Sequence, residues 1–119
     1  MTKAKKKSHE VADVNREIQK VVNSGKILIG ARETMKALDG KGAKLVIHST
    51  NCPEKLKGEF KVMCKEGDTP LYGYHANSTE LGLACGKPYS IASLCVIEVG
   101  ESEILRLLPT IMHSKENTD

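Results

Sequence analysis

The apolar positions of the chain form two kinds of pattern, one with helical spacing and one of short continuous runs. The first segment with helical spacing has its apolar side chains at Val11, Val14, Ile18, Val21 and Val22. This spacing predicts a helix, and Gly25 predicts its end, because glycine is favoured just beyond a helix. Short β-branched runs predict four buried strands, at residues 26–30, 44–48, 71–74 and 90–99.

Segments of helical character lie between these strands. We predict helices over residues 31–38 and 77–85, and another that begins near Pro53, because proline suits the first position of a helix. The inner stripe of that helix comprises Leu56, Phe60, Met63 and Cys64. A last helix is predicted to have Ser102 as its N-cap and to be interrupted by Pro109.

The alternation of helices and strands predicts the α/β class. Strands as apolar as these need cover on both faces, which predicts a three-layer α/β/α sandwich around a mostly four-stranded mixed sheet. The pattern does not determine the order of the strands or which of them run antiparallel. A length of 119 residues fits one domain, which we expect to span residues 11–112. A basic disordered arm is expected at 1–10 and a polar tail at 113–119.

Positive charge is concentrated at the start of the chain. Four of the 18 basic residues lie within the first ten positions, namely Lys3, Lys5, Lys6 and Lys7. Without these four lysines, the chain has 14 basic residues against 15 acidic ones, so the body is close to neutral. A basic arm suits the phosphates of RNA, and a tail that only improves solubility is the alternative interpretation.

Several classes of protein are disfavoured by composition. The chain begins with a charged segment and has no apolar run near the roughly 18–20 residues of a membrane span, so neither a signal peptide nor a membrane segment is expected. The four cysteines lack the short spacing of a zinc site, which predicts reduced thiols and no metal or cofactor. Aromatic residues make up only 3%, which counts against RNA platforms that stack several bases on one sheet.

One nucleophile–base pair, a cysteine and a histidine, is worth considering for nucleophilic catalysis. Cys52 and His48 lie four positions apart across a predicted strand-to-helix turn. A cysteine beside an incidental histidine is the commoner situation, and no complete phosphate-binding loop follows any strand. We therefore predict a protein without enzymatic activity or small-molecule substrate, and an α/β enzyme with Cys52 as its nucleophile is the alternative.

Polar loops follow the first three predicted strands, at residues 30–33, 50–52 and 76–80. If these strands are parallel, the loops meet at one edge of the sheet, where α/β folds usually bind ligands. Each loop opens a helix, whose unpaired N–H groups and positive dipole end suit phosphate. Ordinary helix capping is the competing interpretation, since Asn77 and Glu80 have the spacing of an N-cap and its third helical residue.

Four ordered segments carry a resemblance to a known family. They are Val14-Asn15-Arg16-Glu17-Ile18-Gln19 leading into Ser24-Gly25-Lys26, Ile29-Gly30-Ala31-Arg32-Glu33-Thr34-Met35-Lys36, Lys44-Leu45-Val46-Ile47 running into Asn51-Cys52-Pro53, and Asn77-Ser78-Thr79-Glu80-Leu81-Gly82-Leu83-Ala84-Cys85-Gly86-Lys87. In these segments the chain resembles the eukaryotic and archaeal large-subunit ribosomal protein numbered thirty. That family belongs to the superfamily that binds kink-turn RNA, and the similarity extends from about Val11 to Leu108.

The resemblance implies an α/β/α fold and a structural role in the large ribosomal subunit, with recognition of a kink-turn-type bent internal loop. The implied partners are ribosomal RNA and neighbouring large-subunit proteins, without a membrane. The implied location is the cytoplasmic ribosome, with assembly in the nucleolus if the source is eukaryotic. A kink-turn-binding protein of another ribonucleoprotein, such as a small nucleolar particle, is the alternative, because Ala31-Arg32-Glu33 leans toward the wider superfamily.

The resemblance also implies which residues contact RNA. Gly30, Ala31 and Arg32 are expected at the bend, where Gly30 allows close approach of the backbone. Asn51 is expected to bond a base edge or backbone, and Tyr89 and Ile91 to pack against unstacked bases. The complete implied set is Lys26, Gly30, Ala31, Arg32, Glu33, Asn51, Asn77, Glu80, Leu81, Gly82, Gly86, Lys87, Tyr89 and Ile91.

Overall fold

A computed structural model describes the backbone of residues 2–107 and the side chains of residues 13–107. The lysine side chains of the expected basic arm lie outside this description. So do the expected interruption of the last helix at Pro109 and the polar tail at 113–119. These three expectations stay predictions.

Helices and strands alternate in the predicted order. The elements are α1 (Thr2–Ser24), β1 (Lys26–Ile29), α2 (Ala31–Asp39), β2 (Leu45–His48), α3 (Glu54–Glu66), β3 (Leu71–Gly73), α4 (Ser78–Ala84) and β4 (Ser93–Glu98). Residues 104–107 are also helical, at the end of the described part of the chain. The helix α1 begins at Thr2, well before the apolar stripe from which its start was predicted.

The strand β4 begins three residues later than predicted, at Ser93 instead of residue 90. The physical reason lies in the hydrogen bond of the Ile91 amide, which donates to the Ser78 carbonyl of α4 at 3.0 Å. This amide is therefore taken by a helix and not by a neighbouring strand. The apolar character of Ile91 comes from packing in the core, where its side chain is only 1% exposed.

The sheet has the order β1-β4-β2-β3. β2 and β3 are parallel, whereas β4 is antiparallel to both of its neighbours, β1 and β2. Three strands consequently point in one direction and β4 points in the other. The mixed four-stranded sheet that the sequence predicts is confirmed.

Two apolar clusters lie on opposite faces of this sheet. On β2, Leu45 and Ile47 pack in the cluster with α1 and α4, while Val46 packs in the cluster with α2 and α3. Neighbouring side chains of a strand point to opposite faces, so a strand buried on both sides is apolar throughout. The largest side chain of the second cluster is Phe60 of α3, which is fully buried. The structure is therefore a three-layer α/β/α sandwich, as predicted.

A buried carboxylate joins α1 to the last described helical residues. Glu17 is 7% exposed, and its Oε1 accepts hydrogen bonds from the Glu103 amide at 2.7 Å and the Ser102 hydroxyl at 3.0 Å. The Ser102 hydroxyl in turn accepts from the Ile104 amide at 3.1 Å. Ser102 thus has the capping role that the sequence predicts, and Glu17 adds a second cap from another helix.

The protonation of Glu17 links this contact to pH. Burial alone raises the pKa of Glu17, but the Glu103 amide, the Ser102 hydroxyl and Lys20 outweigh it and hold the pKa below the ordinary 4.5. A carboxyl with a lower pKa in the folded state stabilises the fold above its unfolded pKa. That contribution is lost as the pH falls through the folded-state pKa.

We expect Glu17→Gln to lower the free energy of unfolding at neutral pH by about 1 kcal/mol, because a charged hydrogen-bond acceptor becomes a neutral one. Since the lost contribution is the one that acid removes, the variant should also lose less stability than the parent between about pH 6 and pH 3. Urea unfolding at several pH values measures both effects. Glu103→Gln is the control, because its carboxylate is exposed and pairs with the exposed Arg106 at 3.0 Å. If Glu17→Gln lost as much stability on acidification as the parent, this account would be contradicted.

Candidate nucleic-acid interface

The ends of β1, β2 and β3 and the start of β4 lie at one edge of the sheet, which we name the loop edge. Two backbone hydrogen bonds fix the connections there. The Gly30 amide donates to the Ser93 carbonyl at 2.9 Å, and the Ser49 amide donates to the Ala92 carbonyl at 2.9 Å. The loops that follow the first three strands therefore meet at the loop edge, as the sequence predicts for parallel strands.

The start of α2 is open at the loop edge. Its N-cap, Gly30, has φ 107° and ψ 155° and makes no side-chain capping bond. L side chains rarely adopt this backbone conformation, and a Cβ atom built on Gly30 would meet nothing within 4 Å. The first helical hydrogen bond is donated by the Thr34 amide to the Gly30 carbonyl at 3.0 Å. The amides of the first turn of α2 therefore have no helical hydrogen-bond partner, and the space beside Gly30 is open.

Two charged side chains project from this first turn. Arg32 and Glu33 are both exposed, and Arg32 forms no salt bridge with any side chain among residues 13–107. A cation at a helix N-terminus opposes the helix dipole, so nothing in the helix itself favours Arg32. Ala31 is half-buried against the cluster of α2 and α3.

The start of α4 is closed by the protein itself. The Asn77 side-chain oxygen accepts from the Glu80 amide at 3.1 Å, and the Ser78 amide donates to the Asn51 side-chain oxygen at 2.9 Å. Asn77 therefore caps the helix in the ordinary way, and its side-chain oxygen is occupied. The capping interpretation holds at α4, whereas α2 has no side-chain cap.

A glycine turn ends α4 and reverses the chain. Gly86 has φ 73°, and its amide donates to the Leu83 carbonyl at 2.9 Å. The Lys87 amide donates to the Gly82 carbonyl at 2.9 Å, so these two bonds form a Schellman motif. The chain then runs back along α4 over residues 87–91, which we name the return segment.

The return segment packs closely on one side of α4. A Cβ atom on Gly82 would lie 2.0 Å from the Tyr89 carbonyl oxygen, so only glycine permits this approach. The Thr79 and Ser90 hydroxyl oxygens lie 3.3 Å apart, which places another pair of residues in hydrogen-bond contact. Because its backbone is held against the helix, the return segment presents the Tyr89 side chain outward, with 52% of it exposed.

Three residues of the implied RNA-binding set are buried instead of exposed. Leu81 is 0% exposed and Ile91 is 1% exposed, and both belong to the core cluster with α1. Gly82 is buried beneath the return segment. The side chain of Ile91 is therefore unavailable to an RNA base in this structure, and these residues position the loop edge from within.

Lys26 is not brought to the loop edge. It is the first residue of β1, and its Cα partner in the sheet is Glu98, near the end of β4. Strand residues are spaced by about 3.3 Å, so Lys26 lies about 13 Å from Gly30, at the opposite edge of the sheet. Its place in the implied set came from the resemblance, in which Lys26 belongs to the matching segment Ser24-Gly25-Lys26.

Ser49 belongs to the loop edge, although the sequence analysis did not identify it. Its side chain is fully buried, and its hydroxyl donates to the Asn51 side-chain oxygen at 2.7 Å. The sequence does contain a signal for this contact, because Ser49 and Asn51 are short polar residues two positions apart, directly after a strand. Such side chains often bond within their own loop.

The alternative of a cysteine nucleophile finds no support in the geometry. Cys52 is 2% exposed, and burial raises its pKa, an effect that the nearby Lys57 charge partly offsets and the Glu54 charge reinforces to a smaller extent. A nucleophilic cysteine needs the opposite, a lowered pKa and access to substrate. The remaining cysteines are also buried, and burial raises the pKa of Cys64 and of Cys85 to about 11.

The described residues lack the features of two other kinds of site. No cluster of three or more His, Cys, Asp or Glu side chains suited to a metal ion occurs among them. Within the same residues, no helix has the length and apolar character required to cross a membrane.

One known protein family matches most of the chain that forms this α/β/α fold and its loop edge. Residues 12–106 match the Ribosomal protein L7Ae/L30e/S12e/Gadd45 family, and the chain belongs to that family. Among its relatives is the Large ribosomal subunit protein eL30 of Trypanosoma brucei brucei, with 38% identity over 101 residues. The match covers 85% of this chain and 96% of that protein. The resemblance drawn from the sequence is confirmed.

Proposed function

We propose that the chain is a structural RNA-binding component of the large ribosomal subunit. Its family membership supports the proposal, as does its 38% identity to a large-subunit protein over nearly the full length of both chains. Its partners are then ribosomal RNA and neighbouring large-subunit proteins, and its place of action is the cytoplasmic ribosome, with nucleolar assembly in a eukaryotic cell. The role requires no catalysis and no small-molecule substrate.

The proposed ligand of the loop edge is a kink-turn-type bent internal loop. The observation that carries this part is the contrast between two helix starts: α4 is capped by Asn77, while α2 begins at Gly30 without a side-chain cap. An uncapped helix start with outward amides suits a phosphate, and Arg32 adds a guanidinium to the same turn. The open space where a Cβ atom of Gly30 would lie allows an RNA backbone to approach the chain closely there.

The exposed ring of Tyr89 supports a bent RNA over a regular duplex. Tyr89 is 52% exposed on the return segment, which leads through Ile91 into the start of β4 at the loop edge. An aromatic ring stacks on a base only where the base has a free face, as in internal loops and bulges. A ligand that contacts both α2 and the return segment must offer a phosphate and an unpaired base. A sharply bent internal loop offers both.

Arg32→Ala tests the phosphate contact. We expect the variant to bind kink-turn RNA and fully paired duplex of the same length about tenfold more weakly, because a charge-assisted hydrogen bond is lost with both RNAs. The slope of the logarithm of the binding constant against the logarithm of the salt concentration should fall by roughly one, the value for one phosphate contact. Titration at several salt concentrations measures both effects.

Lys36→Ala is the matched control, since Lys36 is an exposed cation in the last turn of the same helix. An equal loss in both variants would mean that only net charge matters and would refute a site at Arg32. The parent protein must also prefer the bent RNA to the paired duplex. Sedimentation of the full chain with small nucleolar particles instead of the large subunit would refute the ribosomal part while leaving the RNA class intact.

A further inference from the structure

We infer that Ser49 and Asn51 are positioning residues, which fix α4 and the return segment in the arrangement that binds RNA. The inference rests on the proposed function of the loop edge. It assigns Asn51 an internal role where the resemblance implies direct contact with RNA, and it adds Ser49, which the resemblance does not include.

Ser49 lies immediately after β2 and has no access to solvent, with 0% of the residue exposed. Its amide donates to the Ala92 carbonyl at 2.9 Å, which ties it to the residue before β4. Its hydroxyl donates to the Asn51 side-chain oxygen at 2.7 Å. A residue so deeply buried cannot touch an RNA, so any effect of its hydroxyl on binding must be transmitted through Asn51.

Asn51 uses most of its hydrogen-bonding capacity within the protein. Its Oδ1 atom accepts from both the Ser49 hydroxyl and the Ser78 amide, the latter at 2.9 Å. Its Nδ2 atom donates to the Ser78 hydroxyl at 3.3 Å. A carboxamide oxygen has two lone pairs and the nitrogen two protons, so one N–H remains for an outside partner. The side chain is built to hold the first residue of α4.

From Ser78 the connection continues to the return segment. The Ser78 carbonyl accepts from the Ile91 amide at 3.0 Å, and Ile91 ends the segment that carries Tyr89. A continuous series of hydrogen bonds therefore runs from the end of β2, through the start of α4, to the segment with the exposed ring. Loss of the Ser49 hydroxyl removes the hydrogen bond that ties the Asn51 side chain to the end of β2, so the position of α4 relative to β2 is less firmly fixed.

The first experiment compares Ser49→Ala with the parent in the full chain. We expect binding of a bent internal-loop RNA to weaken about three- to tenfold, which corresponds to the loss of one neutral hydrogen bond. Ser102→Ala is the matched control. Ser102 is also a buried serine whose hydroxyl holds a polar side chain, Glu17, but it lies at the opposite edge of the sheet. Its loss should affect thermal unfolding and leave RNA binding unchanged.

The second experiment tests whether Ser49 acts through Asn51. If it does, the double variant Ser49→Ala/Asn51→Ala binds the bent RNA as weakly as Asn51→Ala alone. Additive losses would show that the Ser49 hydroxyl affects binding by another route and would overturn the inference.

Hydrogen exchange in the free protein tests the bridge without RNA. The Ser78 and Ile91 amides should exchange faster in Ser49→Ala than in the parent, while Ser102→Ala leaves them unchanged. Unchanged exchange in Ser49→Ala would overturn the inference, and so would faster exchange with undiminished binding of the bent RNA. A parent protein without preference for the bent RNA would refute the proposed function and the binding role of these residues together. The exchange result would still decide whether the bridge exists.

Discussion

Gly82→Ala is expected to weaken binding of bent internal-loop RNA by about tenfold or more. The added Cβ atom would lie 2.0 Å from the Tyr89 carbonyl oxygen and 3.1 Å from its carbonyl carbon, both of them backbone atoms. The return segment must therefore move away from α4, and Tyr89 moves with it. Displacing the ring forfeits a stacking contact worth about 1–3 kcal/mol, and overpacking costs a similar amount of folding stability.

Gly58→Ala is the control for this substitution. Gly58 also lies within a helix, α3, but a Cβ atom there would meet nothing within 4 Å. Alanine is the better helix former by about 1 kcal/mol, so this variant should unfold at a higher temperature and bind RNA normally. Thermal unfolding and RNA titration of both variants give the comparison. A Gly82→Ala protein that binds bent RNA as tightly as the parent would show that the packing of the return segment does not matter for binding.

Tyr89→Ala should reduce the affinity for bent internal-loop RNA by about 1–3 kcal/mol and leave weak binding to paired duplex nearly unchanged. The reason is that a paired base offers no free face to the ring. Since Tyr89 is 52% exposed, the free energy of unfolding should change little. Tyr89→Phe keeps the ring and should bind almost normally.

Tyr74→Ala provides the contrast for folding. Tyr74 is 3% exposed, its hydroxyl donates to the Asn15 side-chain oxygen at 2.6 Å, and burial raises its pKa to about 12. Removing such a ring costs about 3 kcal/mol or more of stability. If Tyr89→Ala were destabilised to the same extent, with parallel losses for both RNAs, the stacking role would be refuted and Tyr89 would be a packing residue.

The sequence predicts the layers of this fold well because the information is local. Apolar runs such as Leu45-Val46-Ile47 identify strands buried on both faces, and helical spacing identifies their covering layers. The direction of β4 is not local information, since it depends on which strands lie beside it. The start of β4 was placed too early for a related reason. Ile91 is as apolar as a strand residue, but its amide bonds to Ser78 of a helix.

The candidate site was predicted in part. Placement of Gly30, Arg32 and Tyr89 at one exposed edge follows from motifs that open helices or end loops. A motif does not reveal that Ile91 is buried although the nearby Tyr89 is exposed. It also does not reveal that Lys26 lies at the far end of β1, where it pairs with Glu98. The difference between the uncapped start of α2 and the capped start of α4 is visible only in the structure, because it depends in part on hydrogen bonds between distant segments, such as that between Asn51 and Ser78.

The order of the strands in the sheet has a consequence for how the chain is made. β4 lies between β1 and β2, so β1 and β2 do not pair with each other. Both strands pair with residues 93–98, which are synthesised later. Until that last strand has been synthesised, β1 has no partner, and the β2–β3 pair presents an open, apolar edge. Pairings between such distant segments form slowly and leave strands exposed to aggregation. A nascent chain of this protein therefore depends on its final quarter to close the sheet, and products truncated before residue 93 would leave the β2 edge exposed to aggregation.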